Sequence, residues 1–211
     1  MDNENIHTVG TLALRPAATN RNKPYDNINE VTIQISGPAH ASNESLVADL
    51  TRLVIDYMKV KYGAPVEQNK WAASRVQARL RAGELAIALV RLEDNAEPRG
   101  EKLVGCIRIK KFSPTTGGFR TLIVDPAYHK TGLEWRLIHF AEKRCRDDLG
   151  LAAMRQEFLS RKHLAKEPPK YLSTLGYVMS QPRDAEEAYP ELKTLLAEPV
   201  DCYAMEKKLV P

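Results

Sequence analysis

The chain has 211 residues, and its 31 Lys+Arg and 27 Asp+Glu give a formal net charge of +4. This length fits one sizeable domain. Hydrophobic residues make up 43% and charged residues 27% of the chain, which excludes collagen-like, largely disordered and purely coiled-coil proteins. The longest apolar run, residues 85–90, falls far short of the roughly 20 residues that span a bilayer, so no membrane partner is expected.

The N-terminal sequence and the cysteines indicate a cellular compartment. Residues 1–10 carry acids and amides where a secretory signal would carry basic and then apolar residues. Cys106, Cys145 and Cys202 lie far apart, and an odd number of cysteines cannot form a complete disulfide framework. We therefore expect reduced thiols and a cytoplasmic location. The histidines lack the spacing of paired metal ligands on a helix, so no metal site is predicted.

The positive charge is spread along the chain in separate pairs of basic residues. Examples are Lys110-Lys111, Arg161-Lys162 and Lys207-Lys208. A nucleic-acid-binding surface would instead show a contiguous basic stripe with interleaved aromatic residues. No nucleic acid partner is expected.

The first third of the chain predicts an irregular segment, a strand and two helices. Residues 1–29 lack a sustained apolar period and predict an irregular extension before a domain at 30–211. Residues 31–35 alternate apolar and polar side chains, as a half-buried strand does. A helix is predicted after Ser42 or Asn43 as N-cap, and a second from about Asn69 to Gly83.

The rest of the chain predicts strands around one long helix. Residues 85–92, 102–110 and 119–124 predict an antiparallel meander. A four-residue apolar period then predicts a helix that Gly150 ends; its members are Leu133, Leu137, Ala141, Cys145 and Leu149. Further predictions are a strand at 152–159, a helix at 161–175 bent by Pro168-Pro169, and strands at 177–180 and 203–209.

Two motifs carry a family resemblance. Residues 122–137 read LIVDPAYHKTGLEWRL, which is similar to the acetyl-CoA motif V-x-P-x-x-(R/Q)-x-x-G-x-(G/A) of the GNAT N-acetyltransferase superfamily. Residues 171–177, YLSTLGY, are similar to the family's Y-x-x-x-G-(F/Y) segment. With the element order, residues 31–209 resemble this family. The resemblance implies an α+β fold of three α/β/α layers, whose mixed, mostly antiparallel sheet is flanked by helices.

The resemblance also implies where acetyl-CoA, the cosubstrate, binds. A strand that turns directly into a helix leaves N–H groups unpaired at the positive end of the helix dipole, which suits phosphate. The implied contacts to the pantetheine arm are the backbones of Leu122, Ile123 and Val124. The implied contacts to the diphosphate are His129, Lys130, Thr131, Gly132, Leu133 and Glu134.

Two of these positions depart from the family pattern. His129 replaces Arg or Gln and is a weaker donor. Glu134 replaces Gly or Ala. Two like charges about 5 Å apart at an effective dielectric near 20 cost on the order of 3 kcal/mol, so this carboxylate opposes diphosphate binding if it points toward the turn. If it points to solvent, it stabilises the helix dipole instead. Both alternatives stay open.

The resemblance suggests candidates for the catalytic groups. The family's general acid is commonly a Tyr at the position that Leu172 holds here. Tyr171 lies one residue earlier, about 100° round a helix, and is either the acid in a shifted helix or a packed aromatic. Glu157 is the candidate base that deprotonates the amine; its alternative is a solvent-facing residue paired with Arg155 or Lys162. His163 and Glu134 are fallback bases.

The expected activity is an acyl-CoA-dependent N-acyltransferase, with acetyl as the favoured acyl group, in which a small-molecule or protein amine attacks the thioester directly. Tyr57, Tyr62 and Trp71 contribute to the acceptor pocket or, alternatively, to the core. Cys106 and Cys145 are embedded in a strand and a helix, so no covalent intermediate is expected. A homodimer is compatible with the sequence. The alternative function is a GNAT-like protein that has lost ordinary acetyl transfer and performs other chemistry or ligand binding in the same cleft.

Overall fold

The computed structural model describes residues 31–62, 72–91, 100–161, 170–181, 183–184, 187 and 200–209. Its strands are β1 Val31–Ile35, β2 Leu85–Arg91, β3 Glu101–Lys111, β4 Thr116–Val124, β5 Ala153–Arg161, β6 Val178–Met179, β7 Arg183–Asp184 and β8 Val200–Lys208. Its α-helices are α1 Pro38–Ser42, α2 Glu44–Tyr62, α3 Ala73–Arg81, α4 Leu133–Lys143 and α5 Lys170–Thr174.

The strands form one mixed sheet in the order β1-β2-β3-β4-β5-β8-β6, and β7 also pairs with β8. The pairs β1–β2, β2–β3, β5–β8, β6–β8 and β7–β8 are antiparallel, whereas β4–β5 is parallel. The predicted fold class, a mostly antiparallel sheet flanked by helices, is confirmed.

Backbone contacts divide the chain into two compact units. The described part of unit A is residues 31–62, 72–91, 100–110 and 121–143, and unit B holds the remaining described residues. Strand β4 belongs to both, since the chain passes from unit B to unit A between Arg120 and Thr121. The prediction of a single domain at 30–211 stays a prediction.

Unit A is built on an apolar core between its helices and strands. The core residues include Leu50, Val54, Val76, Leu80, Leu85 and Ile87, all fully buried. Of the two predicted caps, Asn43 is the one observed, because its Oδ1 accepts the Leu46 N–H at 3.0 Å. Helix α3 begins at Ala73, after an extended Ala72, so the predicted start near Asn69 is wrong. Gly83 ends this helix at φ +67°, as predicted.

Unit B is built around the pair β5–β8, which extends over nine residue pairs. The parallel ladder between β4 and β5 is shorter and joins Thr116, Gly117 and Gly118 to Ala153, Met154 and Arg155. A Cβ on Gly117 would lie 2.7 Å from Cys145 Sγ, and one on Gly118 would overlap the Phe112 ring. Two glycines are therefore needed where these strands meet.

Several predicted boundaries change in the structure. The long helix after β4 is present as α4, followed by a π-helical turn at Arg144–Asp148. Arg161 is the last residue of β5, so the predicted helix start at 161 is wrong; the helix is seen as α5, and residues 162–169 lie outside the described part. Strand β7 lies in the segment predicted to connect the last strands.

Residues 1–29 also lie outside the described part. None of the described helices is long and apolar enough to cross a membrane.

Candidate active site

The end of strand β4 in unit A carries an unusual backbone conformation. Thr121 has φ 58°, in the left-handed region that β-branched residues rarely adopt. Such a conformation costs on the order of 1–3 kcal/mol and persists only where surrounding contacts impose it. The side chains of Leu122, Ile123 and Val124 that follow are buried, so these residues are anchored in the core.

The turn after β4 is held by its own hydrogen bonds. Asp125 Oδ1 accepts the Ala127 N–H at 2.9 Å, and Asp125 Oδ2 lies 3.3 Å from Lys102 Nζ. The Thr131 hydroxyl donates to the Tyr128 carbonyl at 2.6 Å. The chain therefore enters α4 through a fixed turn.

His129 closes this turn onto the strand. Its Nε2 lies 3.1 Å from the Val124 carbonyl oxygen. A carbonyl only accepts, so Nε2 carries the proton and donates, and neutral imidazole then has no N–H left on Nδ1. His129 can offer an N–H to a phosphate while keeping this bond only when the ring is protonated. Its predicted contact with the diphosphate stays a prediction.

The start of helix α4 presents unpaired backbone N–H groups. The first bond of the helix runs from the Arg136 N–H to the Gly132 carbonyl at 3.1 Å, so the N–H groups of residues 132–135 have no acceptor within the helix. Lys130 at φ +66° and Gly132 at φ +88° shape the approach. A Cβ on Gly132 would meet none of the described residues within 4 Å, so this part of the chain leaves the space beside it open. This arrangement can bind an anion.

Glu134 lies in the first turn of this helix and is partly exposed. Partial exposure is compatible with the solvent-directed alternative, in which the carboxylate stabilises the helix dipole. Leu133 beside it is fully buried and fixes the helix start to the core. Lys130, in the same turn, is exposed.

In unit B, Glu157 is the centre of a cluster of arginines. Its Oε1 lies 2.7 Å from Arg155 Nη2 and 3.7 Å from Arg183 Nη2, and its Oε2 lies 4.0 Å from Arg120 Nη2. The predicted pairing with Arg155 is confirmed. The predicted solvent exposure is wrong, since Glu157 is only 6% exposed.

The cluster brings together side chains from three strands, β4, β5 and β7. Arg155 Nη2 lies within hydrogen-bond distance of Oε1, and Arg120 Nη2 lies further away, on the side of Oε2. Arg120 lies on β4 and Arg183 on β7, so neither is a sequence neighbour of Glu157. Only the register Arg183↔Cys202 and Glu157↔Ala204 across β8 brings Arg183 close.

The segment with the candidate acid gives Leu172 a packing role. Leu172 is fully buried, and its carbonyl accepts the Tyr177 N–H at 3.0 Å. Tyr171, on the neighbouring face of α5, is partly buried, and its role as acid stays a prediction.

Tyr57, one of the three aromatic residues considered for an acceptor pocket, packs against the unit A core, which supports the core interpretation. Trp71, His163 and the side chain of Tyr62 lie outside the described part.

The three cysteines are free and buried. Burial raises the pKa of the Cys106 thiol to about 12. Burial, and then the nearby Glu157 carboxylate, raises the pKa of Cys202 to about 11. Because the thiolate is the nucleophile, these two side chains are inert near neutral pH. Within the described ranges, no group of three or more His, Cys, Asp or Glu side chains could hold a metal ion.

Comparison with known proteins identifies the family. A model of the acetyltransferase (GNAT) family matches residues 53–160, more than half of the chain. The chain belongs to the GNAT acetyltransferase family. Membership confirms the enzyme class expected from the motifs, an acetyltransferase with acetyl-CoA as cosubstrate. No curated protein matches the sequence.

Solved structures of GNAT proteins share the fold. An aminoglycoside 6'-N-acetyltransferase from Enterococcus faecium is 16% identical, covers 85% of this chain and 98% of its own, and has a TM-score of 0.56. The protein yncA from Salmonella typhimurium, solved with its cofactor acetyl-CoA, is 14% identical, and the match covers 86% of this chain and 95% of yncA with a TM-score of 0.51. A chain of the NatC complex, bound to Gag peptide and CoA, is 14% identical, and the match covers 86% of this chain and 99% of the NatC chain with a TM-score of 0.55.

Proposed function

We propose that this GNAT protein transfers an acetyl group from acetyl-CoA to an amine of a small molecule or a protein. The family assignment and the open turn before α4 support this proposal. One similar structure is an aminoglycoside acetyltransferase and another is bound to a peptide, so the proposal includes both small-molecule and protein amines. The free, buried cysteines support the expected cytoplasmic location.

One observation carries the proposal: the N–H groups of residues 132–135 have no acceptor within the helix, and they lie beside a space at Gly132 that no described residue fills. Aligned N–H groups at a helix start act as about half a positive charge. The diphosphate of acetyl-CoA is the complementary anion. Because Gly132 has no side chain, the diphosphate can reach the backbone directly.

The proposed chemistry is a direct transfer. The pantetheine arm pairs with the backbone of Leu122, Ile123 and Val124, and strand N–H groups stabilise the oxyanion. The amine nitrogen attacks the thioester carbon; the C–N bond forms, the C–S bond breaks, and CoA leaves as a thiolate. In this proposal Glu157 accepts the amine proton, and Tyr171 protonates the thiolate.

Two observations favour a second candidate function, other chemistry or ligand binding in the same cleft. Leu172 is fully buried at the position where the family commonly has its general acid. Glu134 places a carboxylate in the first turn of α4. A protein of this kind would bind acetyl-CoA weakly or not at all.

Calorimetric titration with acetyl-CoA, combined with an acetyl-transfer assay, separates the two candidates. Transfer to a panel of amines, peptides and aminoglycosides is followed through the thiol of released CoA. The protein's own thiols are buried and add little background in the native state. Saturable binding with acceptor-dependent CoA release supports the acetyltransferase. No binding at millimolar acetyl-CoA contradicts it and favours the second candidate.

A further inference from the structure

Trp135 is an exposed indole on the first turn of helix α4. It is 37% exposed, and it is the one aromatic among the large hydrophobic side chains that the described residues leave exposed. The other members of that set are Val60, Leu149, Val178 and Met179. The residues that attach α4 to the core are Leu133, Leu137, Ile138 and Ala141. Trp135 lies off this buried stripe, so packing of the helix does not account for it.

Trp135 lies in the first turn of α4, next to the open turn. Helix α4 begins at Leu133, so Trp135 is its third residue and belongs to the residues 132–135 whose N–H groups have no acceptor within the helix. Among the described residues, a Cβ on Gly132 would meet nothing within 4 Å. His139, four residues further along the same helix face, has a side chain that is 58% exposed. The indole is therefore attached to the same helical turn as these N–H groups.

We propose that the Trp135 indole stacks on the adenine ring of acetyl-CoA. The inference rests on the proposed function, because a diphosphate on the N–H groups of residues 132–135 brings the attached adenosine alongside this turn. Adenine has a flat π-face, and such a face can stack on an aromatic side chain without any hydrogen-bonding partner. By the usual strength of such stacking, loss of the indole weakens binding about 10- to 100-fold.

The chain provides its own fluorescent reporter for this contact. It contains two tryptophans, Trp71 and Trp135, so a Trp71→Phe variant fluoresces from Trp135 alone. We expect acetyl-CoA and 3',5'-ADP to quench this fluorescence saturably. Acetyl-pantetheine, which lacks the nucleotide, should leave it unchanged. Equal quenching by acetyl-pantetheine, or no quenching at saturating acetyl-CoA, overturns the stacking.

Affinities of variants give the second measurement. Trp135→Ala should weaken acetyl-CoA binding about 10- to 100-fold and leave acetyl-pantetheine binding unchanged, while Trp135→Phe should retain most of the affinity. The control Met179→Ala removes a side chain of matched exposure, 38%, and should change neither. Unchanged affinity of Trp135→Ala in a protein that still transfers acetyl groups overturns the stacking but not the proposed function. No acetyl-CoA binding by the wild-type protein overturns both.

Discussion

Replacing Gly132 with alanine tests the diphosphate site with a single methyl group. Gly132 has φ +88°, and the new Cβ would meet no atom of the described residues within 4 Å. The variant therefore creates no clash, and its loss of stability comes from the left-handed backbone alone, roughly 1–2 kcal/mol. Gly176 provides a matched control, since it has φ +85° and equally open space. Both variants should lose the same stability.

The two variants should differ in acetyl-CoA binding. A methyl group on Gly132 holds the diphosphate away from the N–H groups, from about 3 Å to about 5 Å. With half a positive charge at the helix start and an effective dielectric near 20, this displacement costs about 1 kcal/mol for each phosphate charge. Two charges then raise the Kd roughly 40-fold.

Isothermal calorimetry gives the Kd of each variant, and thermal unfolding gives its stability. We expect Gly176→Ala to bind acetyl-CoA like the wild-type protein at equal loss of stability. Equal affinities of the two variants, with both folded, would refute the placement of the diphosphate beside Gly132.

Three further predictions concern the catalytic candidates and the buried thiol. Glu157→Gln should lower kcat about 100-fold or more without changing the Kd of acetyl-CoA. The control Glu206→Gln removes the other carboxylate bound to Arg155 and should leave kcat unchanged. Steady-state kinetics and calorimetry check both variants, and equal kcat values would exclude Glu157 as the base. Tyr171→Phe should lower kcat about tenfold or more, and an unchanged kcat would assign Tyr171 to packing. The free energy of unfolding should fall above pH 9, because the unfolded Cys106 thiol loses its proton near its ordinary pKa of 9.0 while burial holds the folded pKa at about 12. The free energy of unfolding then decreases by up to about 1.4 kcal/mol per pH unit. Denaturant unfolding at pH 8 to 11 should show a smaller decrease per pH unit for Cys106→Ala.

Local chemistry made much of the fold predictable. The Asn43 cap, the glycine at the end of α3 and the strand β1 each depend on a few neighbouring residues. Strand β7 was not predictable in this way, because its two residues are ordered by pairing with β8. The π-helical turn after α4 was not predictable either, because the apolar residues keep their four-residue spacing through it.

The candidate site was predictable only in part for the same reason. Motif spacing places Gly132 at a position where a small residue lets a diphosphate approach the backbone, and it contains no signal for the φ of +88° that the structure gives this residue. The spacing contains no signal that Lys130 would also adopt a positive φ. The bond from His129 to the Val124 carbonyl and the arginines around Glu157 depend on folded geometry, so sequence neighbours could not reveal them.

A crystal structure of the acetyl-CoA complex would test the diphosphate site most directly. We predict diphosphate oxygens about 2.7–3.2 Å from the backbone nitrogens of residues 132–135, with the Glu134 carboxylate turned to solvent. A complex in which the Glu134 carboxylate occupies that turn, and the diphosphate binds elsewhere, would contradict this assignment of the diphosphate site.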